Sequence, residues 1–441
     1  VGELPSSPPA SLTPLFAEVA EQPPEPLSLS PVQQSIVEGF YDGPALVSGA
    51  PGTGKTTVAL HRVAYLAGLL PPAAGGRRDI LLVTHRKYLA ALLRDRLAEL
   101  GPQVAERAEV ITIDALAAKV AAEAEPGRPR HWMDDSRALE LWRRVLEESA
   151  LEGTVPEADG EWTPEFLHEE WTQVVLGHAI NSRLDYLRVR RAGRGRHLNR
   201  AARGVAWQLV EEYTRRLSEA NLWTFRRLIA HAVSLAATRA AEKGPRYWHV
   251  VADEAQDLSP AQLKLLRAMV APGPDDLFLV ADPEQCVSGT GASLASLGID
   301  VRGRSAELTH RYRPAVVPEL RGCASWPEEL AQILRQVRDW GAARGIGVAV
   351  PDARMAAEVG RYLNAHDVTA APLGADGPRI ADAVHVGPLH RFKGLEYQRL
   401  ILAGIGEDAP LTRPLLDMAT TRARRSLVIS WHGAPSPLVA G

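Results

Sequence analysis

The residues Gly49-Ala50-Pro51-Gly52-Thr53-Gly54-Lys55-Thr56 have the types and order needed to hold a triphosphate. The glycines let the backbone curl so that successive N–H groups face phosphate oxygens. Lys55 carries its charge to the β- and γ-phosphates, and the Thr56 hydroxyl offers a ligand to Mg²⁺. Thr57 follows directly and is counted with the nucleotide-binding set. A second constellation stands far downstream, where the apolar run Tyr247-Trp248-His249-Val250-Val251-Ala252 leads into Asp253-Glu254. Two carboxylates at a strand end suit metal chemistry, with Asp253 holding Mg²⁺ and Glu254 polarising the water that attacks the γ-phosphate. The alternative for this acidic pair is a cap on the helix opening near Ser259-Pro260. The phosphate loop upstream favours the chemical reading, because both ends of a Mg·ATP site are then present.

Such residues need a rigid frame, and the hydrophobic patterning predicts an α/β one. Short apolar runs at Ala45-Leu46-Val47-Ser48, Ile80-Leu81-Leu82-Val83-Thr84, Glu109-Val110-Ile111-Thr112, Tyr247 to Ala252 and Leu277-Phe278-Leu279-Val280 read as strands. A second block from about Leu308 adds strands near Gly347-Val348-Ala349-Val350 and Arg399-Leu400-Ile401-Leu402-Ala403. Between the halves of the first block, residues 117–228 carry helical spacing and tryptophans at 132, 142, 162, 171, 207 and 223, which read as helix-packing core. Arg183, Arg188, Arg190, Arg191, Arg194, Arg196, Arg200 and Arg203 form a basic run there. It either contacts phosphates or is a solvated face paired with nearby glutamates. Residues 1–26 are rich in Pro and Ser and read as a disordered tail.

With 441 residues, 46% hydrophobic and 23% charged, the chain can bury more than one core. A net charge of −3 means that any nucleic-acid surface must be local. Two cysteines, Cys286 and Cys323, without ligand spacing imply a reducing compartment. No stretch has the length of a membrane span or the order of a signal peptide, so a cytoplasmic protein is expected. The thirteen histidines are scattered, and no metal beyond Mg²⁺ is expected.

Taken in order, these segments resemble superfamily 1A helicases of the UvrD/Rep type. Leu29-Ser30-Pro31-Val32-Gln33 is similar to the family's adenine-reading motif, with Gln33 on the base. Gln285, in Ala281-Asp282-Pro283-Glu284-Gln285, matches its γ-phosphate sensor. In Tyr312-Arg313 the Tyr would stack on adenine and the Arg reach the γ-phosphate. His390-Arg391-Phe392-Lys393-Gly394-Leu395-Glu396-Tyr397 resembles the segment whose Glu holds the ribose. Ala419-Thr420-Thr421-Arg422-Ala423-Arg424 resembles the last motif, with Arg422 as an arginine finger. Thr84, Thr112 and His390 fall in segments expected at the nucleic acid.

The resemblance implies two RecA-like lobes with parallel sheets and a helical insertion in the first. The expected boundaries are residues 27–116 and 229–305 for lobe 1, 117–228 for the insertion and 306–441 for lobe 2. It implies ATP and Mg²⁺ as cofactors, single-stranded DNA as partner, 3′ to 5′ movement, an unwinding or repair role and a monomer. The chain departs from the family where base-stacking residues are expected, after Gln285 and at His85. Between Arg313 and His390 there is room only for a helix, a strand and another helix, so a short form without the second insertion is expected. The alternative is an ATP-driven remodelling factor similar to helicase-like proteins that recycle RNA polymerase. Its warrant is the run Val58-Ala59-Leu60-His61-Arg62-Val63-Ala64-Tyr65-Leu66 together with the lost stacking residues.

Overall fold

The computed structural model describes residues 28–71, 78–151, 162–191, 194, 196–282, 293–312, 316–341, 343–374, 382–392, 395–409 and 420–440, with a few isolated positions between them. Strand β1 (Ala45–Gly49) is followed by β2 (Ile80–Thr84), β3 (Ala108–Thr112), the two-residue β4 (His131–Trp132) and β5 (Leu222–Trp223). Then come β6 (His249–Ala252), β7 (Leu277–Ala281) and β8 (Ser305–Leu308). The first sheet has the order β3-β2-β6-β7-β1-β8 and is parallel throughout. Parallel sheets are covered on both faces, so their central strands read as unbroken apolar runs. Accordingly β2 and β7 are buried at every position. One core gathers Leu81, Ile113, Val250 and Leu265, and the opposite core gathers Val58, Leu82, Phe278 and Val280.

β6 starts at His249 and not at Tyr247. Tyr247 bridges to Val270, and its hydroxyl donates to Glu109 Oε2 at 2.8 Å. β8 pairs with β1 and carries the first sheet through Leu308, two residues past the expected start of the second lobe.

The second sheet is also parallel. It contains β9 (Glu319–Cys323), β10 (Ile346–Val350), β11 (Ala370–Pro372), β12 (Val384–Pro388), β13 (Tyr397–Leu402) and β14 (Ala423–His432), in the order β11-β12-β10-β13-β14-β9. The stretch between Arg313 and His390 holds more than the helix, strand and helix expected. Four strands and the helices Trp326–Trp340 and Ala353–Asn364 lie there, and the described elements all belong to this sheet or pack on it. The strands there that went uncounted are short, three to five residues, and carry no long apolar run to set them apart from the loops around them. Two RecA-like lobes with parallel sheets and a helical insertion are the result.

The insertion has its own core. Trp142 stacks on Tyr213 with centroids 3.8 Å apart, and Trp171, Trp207 and Tyr186 are buried with them. It is tied to the first lobe by backbone. Gly177 O accepts from Ala261 N at 2.9 Å and His178 O accepts from Lys264 Nζ at 2.8 Å. Much of the arginine run serves this packing. Arg191 Nη2 and Arg194 Nε donate to Glu170 Oε2 at 2.7 and 3.1 Å, and Tyr186 donates to Oε1 at 2.8 Å. Arg203 reaches the carbonyls of residues 186, 187 and 189 at 3.1, 3.1 and 3.0 Å. Arg196 lies over Trp162 and Phe166. Glu170 is fully buried. Burial alone would raise its carboxyl, but hydrogen bonds from Arg191, Tyr186 and Arg194 outweigh burial and hold it below the usual range. Arg183, Arg188, Arg190 and Arg200 remain exposed.

Candidate active site

The strand order brings the carboxyl ends of β6, β7 and β1 side by side, where open α/β sheets bind ligands. β1 ends at Gly49, and the chain turns through Ala50 to Gly54 into the helix Lys55–Leu69. Two steps of that turn need a positive φ: Gly52 at +81° and Gly54 at +83°. Space is short as well. A Cβ at Gly49 would meet Thr53 Oγ1 at 2.5 Å, and one at Gly54 would meet Gln33 Nε2 at 2.3 Å. Thr53 is buried and its hydroxyl donates to Ala50 O at 2.8 Å, which pins the loop from inside. Pro51 contributes no N–H, and Thr57 lies half-buried in the first helical turn.

Lys55 Nζ donates to Gly49 O at 2.8 Å and Ala50 O at 3.2 Å, and stands 3.7 Å from Asp282 Oδ2. The ammonium therefore lies over the mouth of the loop. Thr56 Oγ1 donates to Asp253 Oδ2 at 3.0 Å, although 197 positions separate the two residues. Asp253 is 2% exposed, and its Oδ1 has no hydrogen-bond partner. A buried carboxylate oxygen without a partner is costly, and a cation would satisfy it. Burial first, and then the neighbouring Glu254 charge, push the Asp253 carboxyl up to about 7, while the Thr56 hydroxyl and Lys55 pull the other way. A bound dication reverses that balance. The donor set of Thr56 and Asp253 beside a glycine cradle fits Mg²⁺ with a triphosphate.

Glu254 adopts φ +58° and ψ 43°, a left-handed conformation that is uncommon away from glycine and concentrates at functional sites. Its carboxylate accepts from the Gln256 side-chain amide, and Gln256 Oε1 accepts from Asp282 N at 3.1 Å. Gln256 and Asp282 were not singled out from sequence. Their signals were slight: a place two residues after Glu254, and the first position beyond β7.

Gln33 is buried and closes the rear of the loop. Its Nε2 donates to Thr53 O at 3.1 Å and its Oε1 accepts from Ser30 N at 3.0 Å, within a capping box on the helix Pro31–Glu38. One amide hydrogen and one lone pair remain for a base edge. Tyr312 N donates to Gly52 O at 3.0 Å, and its ring, 44% exposed, meets His310 edge-on at 4.6 Å. Glu396 accepts from Arg424 Nε at 2.9 Å. The Arg422 carbonyl accepts from Tyr397 N at 2.8 Å. Gln285 and Arg313 lie outside the described residues.

The side chain of Tyr88 reaches from one lobe into the core of the other. Tyr88, in the helix Lys87–Glu99 that follows β2, is buried among Leu373, Leu389, Phe392 and Tyr397 of the second lobe. Burial raises its hydroxyl. The charges of Arg86 and Arg422 act to lower it, and those of Glu254 and Asp257 to raise it. Arg422 and Glu254, from opposite lobes, thus act on the same hydroxyl.

Thr84 and Thr112 are register partners at the ends of β2 and β3. Thr112 Oγ1 caps the helix Ile113–Ala124 by accepting from Ala115 N at 3.2 Å. The Thr84 hydroxyl is fully buried with no hydrogen-bond partner, so contact with a nucleic-acid strand needs local rearrangement. His390 is exposed, and its carbonyl accepts from Arg86 Nη2 at 3.5 Å. Among the described residues no group of three or more His, Cys, Asp or Glu could hold a metal ion, and no helix is long and apolar enough to cross a membrane.

The family model for the UvrD/REP helicase N-terminal domain matches residues 29–289, more than half of the chain. ATP-dependent DNA helicase UvrD1 of Mycobacterium leprae is 28% identical over 283 residues, covering 59% of this chain and 33% of the relative. ATP-dependent DNA helicase UvrD2 of Mycobacterium tuberculosis is 28% identical over 314 residues, covering 69% of this chain and 42% of the relative. The chain therefore spans between a third and just over two fifths of these relatives' length. With a family match from the helix Pro31–Glu38 through the first lobe, and with two parallel-sheet lobes, the chain belongs to the UvrD/Rep helicase family.

Proposed function

We propose that this chain is a Mg·ATP-dependent motor of helicase type that travels on single-stranded DNA, 3′ to 5′, in DNA unwinding or repair. In this reading residues 27–116 and 229–305 bind the nucleotide, residues 117–228 are an insertion, and residues 306–441 are the moving lobe. The observation that carries it is the meeting of Lys55 and Thr56, Asp253 and Asp282 at three neighbouring strand ends, with a buried carboxylate oxygen left for a cation. Asp253 and Thr56 would hold Mg²⁺, Lys55 the β/γ-phosphates, and Glu254 the attacking water. Gln285 would sense the γ-phosphate, and Gln33, Tyr312 and Glu396 would grip base and ribose. Arg313 and Arg422 would neutralise charge on the transferring phosphoryl from the second lobe, so binding closes the cleft and hydrolysis releases it. The relatives' names as ATP-dependent DNA helicases support DNA as the track.

The test is ATP hydrolysis with and without single-stranded DNA across a salt series, for the unmodified chain, Glu254→Gln and Arg422→Ala. Stimulation by DNA that weakens with salt and is lost in both variants is expected. Turnover indifferent to every nucleic acid would reject the motor and point to protein remodelling.

A further inference from the structure

Among the described residues, Arg62 is the one arginine or lysine shut off completely from solvent. It stands in the helix Lys55–Leu69, seven residues after Lys55. Two helical turns, about 10 Å, therefore lie between Lys55 and a guanidinium on the same side of the helix. A charge removed from water needs partners, and Arg62 has them on several elements. Its Nη2 donates to Asp275 Oδ1 at 2.5 Å, just before β7, and the same oxygen accepts from Tyr41 N at 2.9 Å. Its Nη1 donates to Gly39 O at 2.8 Å and to Val37 O. The rings of Tyr41, Tyr65 and Phe278 surround it, with centroids 5.0, 5.4 and 5.2 Å from Cζ.

The two carbonyls close the helix Pro31–Glu38, and the last C=O groups of a helix have no partner within it. Tyr41 adds to the same closure, its hydroxyl donating to Ile36 O at 2.9 Å. The opposite end of this helix carries Gln33, which is held to the phosphate loop through Thr53 O at 3.1 Å. The two helices lie side by side, joined at the loop by Gln33 and two turns further along by Arg62. An eight-residue helix does not hold its place unaided, because helices of that length are marginal by themselves.

Building on the nucleotide reading above, we propose that Arg62 is a positioning residue for base selection: from the helix that presents Lys55 and Thr56, it sets the place of Gln33 relative to the phosphate loop, and with it the preference for adenine. The helix Lys55–Leu69 then acts as a ruler. Its first turn meets the phosphates, Arg62 fixes the base-reading helix, and one rigid rod sets the distance between the two. A lysine is a poor substitute, since a point charge lacks the planar fork that reaches two carbonyls and a carboxylate together.

The test is calorimetric titration with the Mg²⁺ complexes of AMPPNP, GMPPNP and inorganic tripolyphosphate, for the unmodified chain, Arg62→Lys and Arg62→Gln, with thermal unfolding of each. The unmodified chain should prefer AMPPNP to GMPPNP. Loss of one hydrogen bond to the base lowers affinity about 3- to 10-fold, so both variants should bind AMPPNP that much less tightly. They should keep their affinity for tripolyphosphate and discriminate less against GMPPNP. Arg62→Lys keeps a charge opposite Asp275 and decides the question if Arg62→Gln does not fold. Folded variants that retain the full preference for AMPPNP over GMPPNP overturn the positioning role. An equal loss for AMPPNP and tripolyphosphate also overturns it, because a contact that is structural alone would weaken both. So does an unmodified chain that binds AMPPNP and GMPPNP alike. An unmodified chain that binds neither AMPPNP nor tripolyphosphate overturns the nucleotide reading and this inference together.

Discussion

The proposed nucleotide pocket and the cavity beside Phe225 open at the same edge of the first sheet but are built in opposite ways. The first is a contiguous turn from Gly49 to Thr56, closed by local hydrogen bonds and joined to the ends of two neighbouring strands. The second is assembled from the ends of β2 and β3, where His85, Lys87 and Thr112 line it, and from the start of the helix Phe225–Lys243. A phosphate grip demands backbone geometry that few residues tolerate, so its sequence is constrained position by position. A cavity between strand ends demands only that its walls stand in place, so separate segments can supply it.

That contrast can be broken or sharpened experimentally. The largest expected effect is on the nucleotide side: Arg422→Ala should lower kcat for ATP hydrolysis by about 10³-fold, near 4 kcal/mol, while affinity for oligo(dT) holds. Steady-state kinetics with a parallel binding titration measures both. Next comes the insertion, where Glu170→Ala leaves Arg191 buried without its anion and Arg194 with only Glu169, and should cost about 3 kcal/mol in urea unfolding. The pH dependence gives the sign. The Glu170 carboxyl is held below its unfolded value, so its contribution is full above the unfolded carboxyl range and is lost as pH falls through the folded value. The variant should flatten that acid limb, and a series of unfolding curves at falling pH would show an unchanged limb if the arginines are not anchored there. A smaller effect belongs to the cavity: Lys87→Ala should reduce the salt slope of oligo(dT) binding by about 0.7, without changing preference among bases. The smallest is Gln33→Ala, which removes one loop contact and half of a capping box. It should cost about 1 kcal/mol of stability and weaken the choice of ATP over GTP, read from competition for binding.

Most of the frame was legible because fully buried strands such as β2 and β7 are unbroken apolar runs. β11 escaped notice because it has only three residues, and β9 because it is largely exposed on an edge. In the site, Thr56 and Asp253 could be paired from sequence because each sits in a recognisable segment. Gln256 and Asp282 could not, since their hydrogen bond joins side chain to backbone across two strand ends. The arginine run carried a different lesson. Charge density did not reveal that Glu170 lies at its centre, because that carboxylate enters from a separate helical turn.

Tyr88 gives the lobes a mechanical threshold. Its ring belongs to the first lobe by chain and to the second by packing, where Gly377 leaves just enough room against it. Drawing the lobes apart exposes that ring to water at a cost of about 1.5–3 kcal/mol. Small fluctuations of the cleft would then be resisted, and a full separation would proceed as a discrete click. In the proposed motor, such a detent would convert a continuous thermal jitter into countable steps.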